Sequence, residues 1–125
     1  MQSILIFCFG LFCFGDVPAG EYHIKVFCTL PWGGVNSVDA LKILQHFIGL
    51  NYLTGLRLSA AMTNDDAVIN SVDALLAMKR YVGSISGFAK GDWIFAPATF
   101  LYSNQQINLL IPGLCVGDVN NSYTP

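Results

Sequence analysis

The sequence predicts a mainly α fold with small β additions: a tandem pair of loop–helix units followed by a C-terminal β-hairpin. Three observations lead there. First, Val35-Asn36-Ser37-Val38-Asp39-Ala40-Leu41 recurs almost letter for letter as Ile69-Asn70-Ser71-Val72-Asp73-Ala74-Leu75. The offset of about 34 residues is the period of a duplicated supersecondary unit. Second, each copy leads into apolar residues at helical spacing that stop at a glycine. These are Leu41, Leu44, Phe47 and Ile48 before Gly49, and Leu75, Met78, Tyr81 and Val82 before Gly83. Third, the chain turns extended and aromatic from Gly91 to Phe95, and the apolar stretches 101–102 and 107–111 flank the polar turn Ser103-Asn104-Gln105-Gln106.

Composition narrows the function. A chain of 125 residues can bury one modest core. Hydrophobic residues make up 54% and charged residues only 11%. No apolar run reaches the roughly 20 residues that a membrane-spanning helix needs, so no stable membrane span is expected. Six basic against eight acidic residues offer no polyanion-binding surface, and nucleic acid is excluded as a partner. An enzyme is not expected either. Outside the loops discussed below, the carboxylates Asp16, Glu21 and Asp92 are scattered, and His23 and His46 have no nucleophile beside them.

Residues 1–27 admit two readings. The apolar stretch MQSILIFCFGLFCF followed by Val17-Pro18-Ala19 has the form of a secretory leader, although no Lys or Arg precedes it. Alternatively it is the end of a truncated β-sandwich. The Pro18-Ala19-Gly20 turn and the strict alternation of Tyr22, Ile24 and Val26 favour this second reading. Cys8 and Cys13 read as small buried hydrophobes. Cys28 and Cys115 flank residues 28–125, the second expected domain, from opposite ends. In an extracytoplasmic chain they are candidates for a disulfide contributing about 2–4 kcal/mol.

The second repeat carries the chemistry. A calcium loop of about twelve residues presents oxygens from alternating positions. With Asp73 as the last position, those positions are Met62, Asn64, Asp66, the Val68 carbonyl, Asn70 and Asp73. Ile69 falls where such loops pair through a short β-bridge. Two departures weaken the site. Met62 removes a charged ligand, for which a shifted Asp65 would compensate, and Ala67 stands where a sharp turn favours glycine. The expected affinity is in the range of about 10⁻⁴–10⁻³ M. The plainer reading is that Asn70 and Asp73 simply cap the following helix.

In the first repeat the same alignment puts Cys28, Leu30 and Trp32 at the front positions, and none of them ligates a hard cation. Only Asn36 and Asp39 remain. The missing front half stands at the far end of the chain, as Asp118-Val119-Asn120-Asn121-Ser122. A split site is therefore expected, with Asp118, Asn120 and Ser122 facing Asn36 and Asp39 around one calcium ion. The alternative is that residues 117–125, rich in Asn, Ser and Pro, begin a linker.

The Asn-Ser-x-Asp loop endings, the Gly-Asp-Val-Asn opening at 117–120, Pro31-Trp32-Gly33-Gly34 before the first helix and Gly91-Asp92-Trp93-Ile94-Phe95 after the second resemble type I dockerin repeats of secreted or surface bacterial proteins. The resemblance runs from about residue 29 to 125. Residues 14–26 resemble the last hairpin of carboxypeptidase-regulatory-like β-sandwiches. The dockerin resemblance implies a half EF-hand pair, Ca²⁺ as cofactor, a cohesin-like partner, and carbohydrate met only through the parent protein. It also implies a partner-binding face of Ser37, Val38, Gln45, His46, Ser71, Val72, Lys79 and Arg80. The bland alternative for that face is an ordinary solvated helix surface. Trp32 and Trp93 are expected to fill a small core, the alternative being sugar stacking.

Overall fold

The computed structural model describes residues 2–7, 12–15 and 17–124. Two compact units divide the chain: residues 1–30 with 95–112, and residues 31–94 with 113–125. Residues 95–112 therefore group with the N-terminal segment, where the sequence division placed them in the second domain.

In the first unit, β1 (Gln2–Phe7) runs parallel to β2 (Gly20–Phe27), in the register Gln2↔Tyr22 to Phe7↔Phe27. The alternation expected of β2 is present, with Tyr22 and Ile24 buried and Glu21 and Lys25 exposed. Tyr22 donates its hydroxyl to the Pro18 carbonyl at 2.6 Å, which ties the turn to the strand. The other neighbour of β2 is β4 (Ala98–Tyr102), antiparallel, with Tyr22 opposite Phe100 and their rings stacked at 5.6 Å. The expected hairpin of 101–111 does not form, since residues 107–111 adopt no strand and β4 finds its partner in β2. Pro97, which cannot donate to a ladder, separates β4 from β3 (Trp93–Phe95).

The second unit holds α1 (Ser37–Phe47), α2 (Gly55–Ala61) and α3 (Ser71–Tyr81), with β3 paired to β5 (Gly113–Cys115). The repeat is written into both helix ends. Asn36 and Asn70 are extended, at φ −148° and −150°, and each side chain accepts the N–H two residues on at 2.8 Å. Asp39 and Asp73 reach back to the cap N–H at 2.9 and 3.0 Å, which completes a capping box on each helix. At the other ends, Gly49 and Gly83 take φ of 76° and 80°, where a Cβ would be strained. There Leu50 and Ser84 donate to the carbonyls of Gln45 and Lys79 at 2.9 and 2.8 Å.

Small residues form the centre of this unit. Ala40 and Ile43 of α1, Ala60 and Ala61 of α2, and Ala74 and Ala77 of α3 are buried with Val35, Leu114 and Val119. Alanines let α1 and α3 pack directly on each other. The apolar residues that mark helical spacing in the sequence lie elsewhere: Leu41, Leu44 and Phe47 of α1 and Ile48 at its end are exposed, as are Leu75 and Tyr81 of α3 and Val82 at its end.

The expected mainly α class is overturned. Three short helices share the described chain with five strands in two small sheets, and α2 stands between the two repeats, so no tandem helix pair exists. The sequence expectation rested on the repeated helices and one local hairpin, while the strands draw their partners from distant segments. The expected Cys28–Cys115 bridge is absent as well. Cys28 is disulfide-bonded, and Cys115 is a free thiol buried in β5, its pKa pushed up to about 11 chiefly by that burial. The two belong to different units, Cys28 to the first and Cys115 to the second. Cys13 is exposed, contrary to its reading as a buried hydrophobe, and Cys8 and Asp16 lie outside the described residues.

Candidate metal centre

The two capping boxes organise two loops, and the structure brings both halves of the split one together. Asp39, at the first turn of α1, is fully buried, and so is Asp118, which follows β5. Asn120 donates its N–H to Asp39 Oδ1 at 3.3 Å, while Asn36 N–H holds Oδ2 at 2.9 Å. Asp118 Oδ1 accepts the Ser122 N–H at 3.1 Å and its hydroxyl at 3.3 Å, and Oδ2 accepts the Tyr123 N–H at 3.0 Å. Ser122 Oγ also lies 3.0 Å from the Gly34 carbonyl oxygen as donor. Asp118, Asn120 and Ser122 thus meet Gly34, Asn36 and Asp39 in one place.

A glycine pair makes the meeting feasible. Gly34 has φ +83°, and a Cβ there would fall 2.4 Å from Tyr123 Cβ and 2.9 Å from Asp118 Oδ2. A Cβ on Gly33 would fall 2.6 Å from the Tyr123 ring. The terminal segment is pinned from its far side too, since Tyr123 donates its hydroxyl to the Pro31 carbonyl at 3.1 Å.

The electrostatics of this cluster are unbalanced. Burial pushes the Asp39 carboxyl above its ordinary value, and the nearby Asp118 charge adds to the rise, against the lowering by backbone N–H groups of Asn36, Asn120 and Val119. Among the described residues neither aspartate carries an ion pair. Asn120 Oδ1 is buried without a hydrogen-bond partner, an expensive state for an acceptor. Carboxylate, amide, hydroxyl and carbonyl oxygens are the donors calcium takes, and thiolate or imidazole is not among them.

The contiguous loop is built on the same frame but closed differently. Asp73 is fully buried, and its Oδ1 accepts the Thr63 hydroxyl at 3.2 Å and the Asn64 N–H at 3.4 Å. Asn64 and Asp66 bond to each other, amide to carboxylate at 2.9 Å and Asp66 N–H to Asn64 Oδ1 at 3.3 Å. Val68 N–H closes on Asp66 Oδ1 at 3.0 Å. Ala67 takes φ 65°, the left-handed turn for which glycine is the natural occupant. Asp65 does not shift towards the vacated first position; its carboxylate lies 3.8 Å from Lys90 Nζ. Ile69 forms no β-bridge and packs against the core cluster instead.

The residues implied as a partner-binding face are divided. Ser37, Val38, Ser71, Val72 and Lys79 are exposed, and Gln45 and His46 are half-buried. His46 Nδ1 accepts the Leu53 N–H at 2.9 Å, which holds the chain after α1. Arg80 is not available to a partner. It is buried, ion-paired to Asp92 at 2.7 Å, with its guanidinium 3.8 Å from the Trp32 ring centroid and 4.8 Å from that of Phe88. Trp32 donates its Nε1–H to the Val116 carbonyl at 2.8 Å and meets Phe88 edge-on. Trp93 is half-buried, 6.0 Å from Tyr123.

Sequence reasoning missed Gly34, Thr63 and the Arg80–Trp32 stack. Gly34 carried a signal, because it precedes Asp39 by the same interval at which Val68 precedes Asp73. Neither a scan against protein-family models, nor a search of the curated proteins, nor a search of the solved structures finds a match to this chain.

Proposed function

We propose that this chain is a calcium-binding, non-catalytic, dockerin-like interaction module of a secreted or surface bacterial protein, docking its parent to a cohesin-like partner or cell-surface assembly. The observation that carries the reading is the oxygen cluster around Asp39 and Asp118: two buried carboxylates with no cationic partner among the described residues, beside the unpartnered Asn120 Oδ1. Asp118, Asn120, Ser122, the Gly34 carbonyl, Asn36 and Asp39 would hold the ion. Calcium bound there supplies the positive charge the cluster lacks, and its binding free energy becomes folding free energy.

The docking half of the proposal draws support from a duplicated apolar surface. Val38 and Val72 are each 47% exposed, Leu41 and Leu75 each 53%, and Ile48 and Val82 each 67%. Exposed apolar residues grouped this way on two equivalent helices suit a protein partner. A calcium-stabilised spacer without a partner is the second reading, favoured by the burial of Arg80, which removes a charge from the face.

The test is isothermal titration of the chain with calcium, then with a cohesin domain encoded by the same organism. Calcium is expected to raise the unfolding temperature and EDTA to reverse it. Val38→Asp with Val72→Asp should weaken cohesin binding by at least about tenfold while leaving the calcium response intact. Calcium binding without affinity for any such cohesin would leave the spacer.

A further inference from the structure

We propose that the protein takes up a single divalent cation, at the discontinuous loop formed by residues 118–122 and 34–39, and that the contiguous loop 62–73 closes without one. The inference rests on the calcium reading above and assigns its stoichiometry and place.

The two loops share a frame, so they can be compared position by position. In each, the N–H of the third position rests on Oδ1 of the terminal aspartate, Asn120 on Asp39 at 3.3 Å and Asn64 on Asp73 at 3.4 Å. In each, the cap asparagine N–H rests on Oδ2. What differs follows from the first position, Asp118 in one loop and Met62 in the other.

Asp118 captures the N–H of the fifth position, Ser122, on its own Oδ1. That leaves the third-position amide oxygen, Asn120 Oδ1, with nothing to accept. Met62 has no carboxylate to offer. The fifth-position N–H, from Asp66, therefore falls on Asn64 Oδ1, and the Asn64 amide group turns to Asp66 Oδ2. The oxygen that would ligate is consumed by the loop itself.

The second position completes the substitution. Thr63 is buried and its hydroxyl lies as donor 3.2 Å from both Asp73 Oδ1 and the Asp73 carbonyl. A neutral O–H thus donates to the buried carboxylate. The corresponding residue in the discontinuous loop is Val119, which has no hydroxyl. One loop leaves the Asn120 side-chain oxygen without a donor, and the other has used the equivalent oxygen of Asn64 within itself.

The experiment is calcium titration of the full chain by calorimetry, with circular dichroism of every variant to verify folding. One equivalent is expected. Asp118→Asn, or Asn120→Ala where the first variant fails to fold, should weaken binding by at least about tenfold, since ligand charge and number set affinity in such loops. Asp66→Ala and Thr63→Val should leave stoichiometry and affinity unchanged. Two equivalents in the unaltered protein, or binding lost in Asp66→Ala and kept in Asp118→Asn, would overturn the assignment while calcium binding itself stood. Absence of any calcium binding in the unaltered chain would defeat both.

Discussion

The discontinuous and contiguous loops start their helices with the same capping box, with cap φ angles 2° apart (−148° and −150°), yet their carboxylates are satisfied by different means. In the first, two buried aspartates face each other with backbone amides and a serine hydroxyl as donors. In the second, a single buried aspartate is met by a threonine hydroxyl and amides, and the other two carboxylates, Asp65 and Asp66, are exposed. The lesson is that a loop continuous in sequence can use up its own oxygens more fully than one assembled from two segments. What counts is how many oxygens remain uncommitted once the internal hydrogen bonds have formed.

The largest way to break the comparison is at the glycine of the discontinuous loop. Gly34→Ala puts a Cβ into a positive-φ residue and within 2.4 Å of Tyr123. The left-handed strain and the displaced segment together should destabilise the chain by about 3 kcal/mol or more, measured by urea unfolding in calcium. A loss below about 1 kcal/mol would mean that the terminal segment is not seated on Gly34 in solution.

The next largest effect sharpens the comparison by erasing it. Met62→Asp combined with Ala67→Gly restores the first-position carboxylate and relieves the left-handed turn at φ 65°. Calorimetry should then count a second equivalent of calcium. At a hundredfold excess over its dissociation constant that equivalent stabilises the fold by about 2.7 kcal/mol. An unchanged count would place the block elsewhere in the loop, with Thr63 as the first suspect.

Thr63→Val has a smaller effect, confined to the contiguous loop. It removes the hydroxyl from a buried carboxylate and should lower stability by about 1–3 kcal/mol, equally with calcium and with EDTA. A loss seen only in EDTA would show that a cation replaces the hydroxyl, and the distinction between the loops would fall.

What was legible in the sequence follows the range of the interactions involved. The helices α1 and α3, their caps and their glycine ends were legible because each depends on hydrogen bonds within a few residues. The meeting of residues 118–122 with 36–39 could be read only because the repeat showed which half each lacked. Partners of β4 were not legible, since its pairing with β2 spans most of the chain and leaves no local mark. The short helix α2 carries no repeat and no side-chain cap to mark its start. Arg80 looked like surface charge, and its burial comes from Trp32, Phe88 and Asp92, three residues that only the fold assembles around it. The apolar residues at helical spacing marked the helices but not the face they bury. Alanines at the α1–α3 contact bring the helices close, and the larger side chains are left outside.

The smallest effect is a pH dependence carried by Asp39 of the discontinuous loop. In the cation-free chain, burial first and the Asp118 charge second hold the Asp39 carboxyl above its ordinary value of 3.8. The folded state therefore binds the Asp39 proton more tightly than the unfolded state. The stability this group contributes is fully present below 3.8 and is lost as pH rises through the raised folded value. Calcium competes for the same carboxylate, so its affinity should weaken on acidification through that window. Unfolding in EDTA across mildly acidic pH, compared between the unaltered chain and Asp39→Asn, isolates the contribution, because the substituted residue no longer titrates. A difference between the two proteins that stays constant with pH would mean Asp39 does not titrate differently on folding. The two aspartates would then be screened from each other, and the electrostatic contrast between the loops would rest on the Asn120 oxygen alone.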